Sequence, residues 1–126
     1  MAGRPLSPHL GIFRWYFTMA LSIAHRVTGS AQAVFLIFLT WWLLALATGE
    51  GAFDVINKAA GSIFGQLILF GYTLSIFFHM ANGIRHLVWD AGYGYRIDVA
   101  HQSGKVVVGA AVVLTVLVWI ARFVFT

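Results

Sequence analysis

The stretch His79-Met80-Ala81-Asn82-Gly83-Ile84-Arg85-His86-Leu87-Val88-Trp89-Asp90 closes an apolar run that begins near Ala59, and its reading decides the fold. A helix turns about 100° per residue, so Tyr72, Ser75, His79, Gly83, His86 and Asp90 share one stripe of a single helix. Leu, Ile and Phe are the commonest residues at the remaining positions. A helix that is apolar on its other sides suits a bilayer, and a polar stripe on it must face something other than lipid.

Two further runs of the same kind flank this one. Val27 to Gly49 and Val106 to Ala121 carry no Asp, Glu, Lys or Arg, and Arg122 can snorkel from the far end of the last run. Each run is close to the length of about 20 residues that crosses a hydrocarbon layer. The 126 residues are 60% hydrophobic and 10% charged, outside the composition of a soluble domain. The expectation is an all-α membrane protein, a single membrane-anchor domain over residues 1–126, with spans at about 27–48, 61–88 and 105–125.

The net charge of +4 follows from topology rather than from a nucleic-acid surface. In a three-span arrangement Arg4, Arg14, Arg26, Arg85, Arg96 and Lys105 lie on one side, and Lys58 and Arg122 on the other. That asymmetry puts the N-terminus inside and the C-terminus outside. No cysteine is present, which excludes disulfides, thiolate metal sites and cysteine nucleophiles. No cleavable signal peptide is expected, because the first apolar run starts late and is long. Neither paired catalytic carboxylates nor a phosphate-cradling glycine motif is present, so hydrolase and transferase chemistry find no apparatus.

Residues 1–26 read as a cytoplasmic and interfacial lead-in. Pro5 and Pro8 favour extended chain at its start, and the aromatic segment from Arg14 to Arg26 lies at the interface or begins the first span. Trp41 and Trp42 form an aromatic belt before a glycine-rich exit, with a short loop to Lys58. Residues 91–104 read as a polar cytoplasmic loop, and the third span as packing and anchoring.

The polar positions allow specific chemistry. His79 lies six residues before Arg85, roughly 9 Å deeper along a helix, and a neutral imidazole there is a good haem-iron ligand. The plainer reading is a histidine hydrogen-bonded to a neighbouring helix. Gly83, one turn away, removes a side chain where a flat macrocycle would press. His86 cannot be the opposite ligand of the same iron, since seven residues separate it from His79 by roughly 10 Å. His25 is conceivable, but a ligand from another chain fits better, which predicts a haem at a subunit interface. Ser22, His25, Arg26 and Gly29 share a face of the preceding helix. His25, Arg26, Arg85 and His86 could therefore pair with the carboxylates of a haem edge, although positive-inside topology alone would also place Arg85. Ser22 and Arg26 could hydrogen-bond a quinone carbonyl, against the common habit of membrane serines of bonding their own backbone. Asp90 reads as a solvated helix end.

Three segments together carry a resemblance: Arg4-Pro5-Leu6-Ser7-Pro8-His9-Leu10, Ser22-Ile23-Ala24-His25-Arg26-Val27-Thr28-Gly29, and His79 with Gly83-Ile84-Arg85-His86-Leu87 through Asp90. In this order, among three spans, they resemble the cytochrome b subunits of succinate dehydrogenase, the larger membrane anchor of respiratory complex II. The resemblance implies a non-flavin subunit of succinate:quinone oxidoreductase that pairs with a second small membrane anchor. An iron–sulfur subunit would dock on it, carrying the flavoprotein where succinate is oxidised. It further implies haem b shared with the second anchor, with His79 as axial ligand and His25 by the propionates, and ubiquinone at Ser22 and Arg26. The bacterial inner membrane is the expected location, or else the mitochondrial one. An anchor of a related fumarate reductase, another b-type cytochrome, or a haem-free structural anchor are the alternatives.

Overall fold

The structure, a computed structural model, describes residues 3–126. After a 3-10 turn at His9–Ile12, four helices follow: α1 (Phe17–Thr48), α2 (Glu50–Gly61), α3 (Ile63–Asp90) and α4 (Ile97–Phe125). No strand occurs among the described residues. α1, α3 and α4 are each long and apolar enough to cross a membrane. The three-helix architecture expected from the apolar runs is therefore present.

The helices are longer than the apolar runs. α1 begins at Phe17, ten residues before the span expected from 27. No proline or glycine occurs between Phe17 and Thr28, so nothing interrupts helical hydrogen bonding once the charged residues near the interface are reached. The polar loop expected over 91–104 is likewise much shorter, because α4 starts at Ile97 with Arg96 as its N-cap. Gly92 and Gly94, at φ 91° and 78°, make the tight turn between α3 and α4. Trp89 Nε1 donates to Gly94 O across it at 3.1 Å.

The short connection expected after the first span holds a helix of its own, α2, twelve residues long. Its apolar side buries Ile56, and Trp42 on α1 donates from Nε1 to Asn57 Oδ1 at 3.1 Å while packing on Phe53. Asp54 and Lys58 pair at 2.6 Å on its exposed side, a contact worth little in stability. Ser62 then caps α3, its hydroxyl accepting from Gly65 N.

α3 is the central helix, packed on α4 most extensively and on α1 along its polar stripe. Phe35 stacks on Tyr72 at 3.6 Å between ring centroids. Below them Gln32 Nε2 donates to Ser75 O and Ser75 Oγ to Thr28 O. On the other side Trp119 Nε1 donates to Thr73 Oγ1. Leu21, Phe78, Val107 and Ala111 form the apolar centre where all three long helices meet. Gly104 lets α1 reach α4 there: a Cβ at this position would stand 2.8 Å from Phe17 Cε1.

Everywhere else large apolar side chains face outward, among them Leu36, Ile37 and Leu44 on α1, Leu67 and Ile68 on α3, and Leu117 on α4. Thr40, Thr48, Thr73 and Thr115 each return their hydroxyl to the carbonyl four residues earlier. Such back-bonding hides a hydroxyl within its own helix, and at the exposed Thr40 and Thr48 it is the solution a lipid-facing surface demands. With that outer surface the chain is a multipass membrane protein.

Candidate functional site

The stripe of α3 meets α1 at two histidines. The rings of His25 and His79 stack with centroids 3.9 Å apart and 5° between planes, and the His86 ring lies 5.2 Å from His25. All three are half-buried. The backbone of α1 sets this arrangement: Gly29 leaves the space that the His79 ring fills, and a Cβ on it would sit 3.0 Å from His79 Cε1. Gly83 is less tight, its missing Cβ lying 4.0 Å from His25 Cε1.

The hydrogen bonds at His79 fix its tautomer. Its Nδ1 lies 3.1 Å from Thr28 Oγ1 and 3.1 Å from His25 O. The Thr28 hydroxyl gives its single proton to His25 O at 2.9 Å, and a carbonyl can only accept. His79 Nδ1 is therefore the donor to both oxygens, and Nε2 carries the lone pair. Among the described residues Nε2 has no hydrogen-bond partner. A ring held through Nδ1–H with Nε2 free is the arrangement of a metal-ligating histidine.

His25 has a different fate. Its Nδ1 is buried without a partner, and its ring lies flat against His79. Two axial ligands approach one iron from opposite faces with their nitrogens directed at each other, whereas stacked rings hold them side by side. Of the two stacked rings, His79 is the one held through Nδ1 with Nε2 unpartnered, and no group of three or more His, Cys, Asp or Glu side chains suited to a metal occurs among the described residues.

Beside the histidines lies a cavity of about 350 Å³ between α1 and α3, lined by Tyr16, Thr18, Met19, Ser22, Arg85, His86 and Trp89. Ser22 Oγ has no hydrogen-bond partner among the described residues, unlike the back-bonded threonines, so its proton is available to a ligand there. Arg26 does not line this cavity. It sits one turn on along α1, exposed.

Arg85 is tied elsewhere. Only 6% exposed, it donates from Nε to Ser103 Oγ at 3.0 Å and from its terminal nitrogens to Asn82 Oδ1 at 3.2 Å and Ala100 O at 3.0 Å. Its guanidinium also lies 4.0 Å over the Trp89 ring. Topology alone therefore does not account for it: it fastens α3 to α4 and presents a flank to the cavity. Asp90 is exposed at the end of α3, with no ion pair among the described residues. Sequence reasoning passed over Thr28, Asn82, Tyr16 and Trp89. Thr28 follows His25 by three residues on one helical face, which was a usable signal.

The sequence profile of succinate dehydrogenase/fumarate reductase transmembrane subunits matches residues 2–118. The chain is 42% identical over 122 residues to a succinate dehydrogenase cytochrome b556 subunit from Paracoccus denitrificans, covering 97% of this chain and 94% of that one. It is 38% identical to a cytochrome b560 subunit from Reclinomonas americana, covering 93% and 85%. A mitochondrial cytochrome b560 subunit from Sus scrofa is 40% identical over 92% of this chain and 68% of its own. The three apolar helices fit a multipass inner-membrane protein such as these. With a match that spans both histidine segments, α1, α3 and most of α4, the chain belongs to the family of succinate dehydrogenase/fumarate reductase transmembrane subunits.

Proposed function

We propose that the chain is the cytochrome b anchor of a succinate:quinone oxidoreductase, binding haem b through His79 and forming part of a ubiquinone-reduction site. The observation that carries this reading is the His79 imidazole, held through Nδ1 by α1 with Nε2 left free, about two turns along α3 from His86 and the cavity that His86 lines with the unbonded Ser22. The residues fit the group: one ligand of the right tautomer, the space kept by Gly29, and the unpartnered Nδ1 of His25 near the same edge. A second ligand to the iron would then come from a second small anchor, and the haem would be shared between subunits. His25, Arg26 and His86 supply donors for its propionates.

When bound, haem b would supply a one-electron store. Ser22 Oγ donates to one carbonyl oxygen of the quinone and orients the ring. Arg26, four residues on along α1, points outward to where a partner subunit would complete the pocket, and gives the quinone a charged donor from that side. Reduction takes two electrons from the clusters of an iron–sulfur subunit and two protons from the aqueous side. Succinate oxidation belongs to the flavoprotein beyond it. The charge asymmetry supports an N-terminus, and with it Ser22 and Arg26, on the cytoplasmic or matrix side.

The test is a dithionite-reduced minus oxidised spectrum of the detergent-purified complex, for wild type and for His79→Ala. A b-type spectrum lost or strongly altered in the variant is expected. An unchanged spectrum moves the ligand to another histidine, and absence of haem from the wild type removes the haem reading.

A further inference from the structure

We propose that Thr28 is a positioning residue for the haem ligand: its hydroxyl oxygen accepts from His79 Nδ1 and, with the His25 carbonyl, fixes both the tautomer and the rotation of the imidazole. This rests on the reading of His79 as the axial ligand. The two acceptors come from a single turn of α1, at 3.1 Å each, and they are coupled. The Thr28 proton is committed to His25 O at 2.9 Å, which turns the Thr28 lone pairs toward His79 and leaves no donor that could stabilise the opposite tautomer. Half-buried between α1 and α3, the group has little water to compete with it. Ser75 Oγ further braces the same turn by donating to Thr28 O.

The chemical consequence concerns the iron's preference between its two oxidation states. A ligand imidazole that donates from Nδ1 to two acceptors is more basic at Nε2 and favours the ferric over the ferrous state. Without the Thr28 oxygen, only the His25 carbonyl remains. Second-shell partners of this kind change metal affinity by about tenfold or more. Tenfold in the ferric-to-ferrous preference corresponds to a positive shift of about 59 mV in the midpoint potential of a one-electron couple.

The experiment is a spectroscopic redox titration of the haem in the assembled complex, with low-temperature EPR of the oxidised form, for wild type, Thr28→Val, Thr28→Ala and Thr28→Ser. Val keeps the shape and loses the oxygen, Ala loses the oxygen without bulk, and Ser restores it. The expected result is a positive shift and altered EPR g values in Val and Ala, with both restored in Ser. Haem lost from Val and Ala but retained in Ser, in complexes that assemble normally, also supports the proposal. A wild-type potential and g tensor in Val and Ala overturn it while leaving His79 as ligand. Failure of the complex to assemble in both would also overturn it, by making Thr28 a packing residue. A wild-type complex without haem would instead refute the underlying reading.

Discussion

Replacing Arg85 by Met removes the guanidinium that joins α3 to α4 while keeping most of the aliphatic stem. Three hydrogen bonds disappear, to Ser103 Oγ, Asn82 Oδ1 and Ala100 O, along with the stacking on Trp89. At about 0.6 kcal/mol per bond, the average between membrane helices, the two bonds to α4 alone make the loss at least about 1 kcal/mol. Charged donors in a dry site reach about 1.5 kcal/mol or more each, which raises the figure to about 5 kcal/mol. The upper half of that range is expected, because Asn82 is fully buried and its Nδ2 already lacks a partner. Without Arg85 its Oδ1 loses its partner too. Arg85→Lys, which keeps the charge but not the fork, should fall between wild type and Met. Equilibrium unfolding in mixed micelles, followed by tryptophan fluorescence, measures all three. An unfolding free energy for Arg85→Met within about 0.5 kcal/mol of wild type, the range of an inconsequential surface change, would refute the tether and leave Arg85 as a topological charge.

Two other substitutions probe the site itself. Gly29→Ala puts a Cβ 3.0 Å from His79 Cε1 and should push the ring out of place; the expected outcome is reduced haem content and a shifted b-type spectrum in a complex of normal size on a native gel. Arg26→Leu should slow quinone reduction at least about tenfold, the equivalent of one charged hydrogen bond, while succinate oxidation by an artificial acceptor continues. Loss of both activities would point to failed assembly instead.

The three spans were legible because hydrophobic runs of that length have one use, and the stripe on α3 was legible because period 3.6 survives in Tyr72, Ser75, His79 and His86, all of which meet α1 or its neighbours. Helix ends were not. Hydropathy falls at Arg26 and at Lys105, but hydrogen bonding continues as long as no proline or glycine pair stops it, so α1 and α4 extend well past their apolar segments. α2 was hidden for another reason: its glycines and the charges of Glu50, Asp54 and Lys58 read as a connection, although Phe53, Ile56 and Ala60 recur at helical spacing. At the site, the face shared by Ser22, His25 and Gly29 could be counted out in advance, but Arg26, on the same count, stands outside the cavity. Arg85 could not be assigned from sequence, since a charge near a membrane surface satisfies the topology rule whether it is free or buried. Only its partners on α4, brought back by the turn at Gly92 and Gly94, separate the two.

The length of α1 bears on how the site draws its protons. Thirty-two residues extend about 48 Å, against a hydrocarbon thickness of about 30 Å. If its Trp41-Trp42 end sits at one face, Ser22 lies about 30 Å away along the axis, at the opposite edge of the acyl chains, with His25 and Arg26 about a turn inside it, and the stacking of His79 on His25 brings that ring to a similar depth. A quinone bound beside Ser22, as proposed, would lie within reach of water through the headgroups and would not need a relay of buried acids to bring hydrogen ions across the bilayer. Turnover at that depth would take up its protons on the side where it occurs and would neither charge nor discharge the membrane.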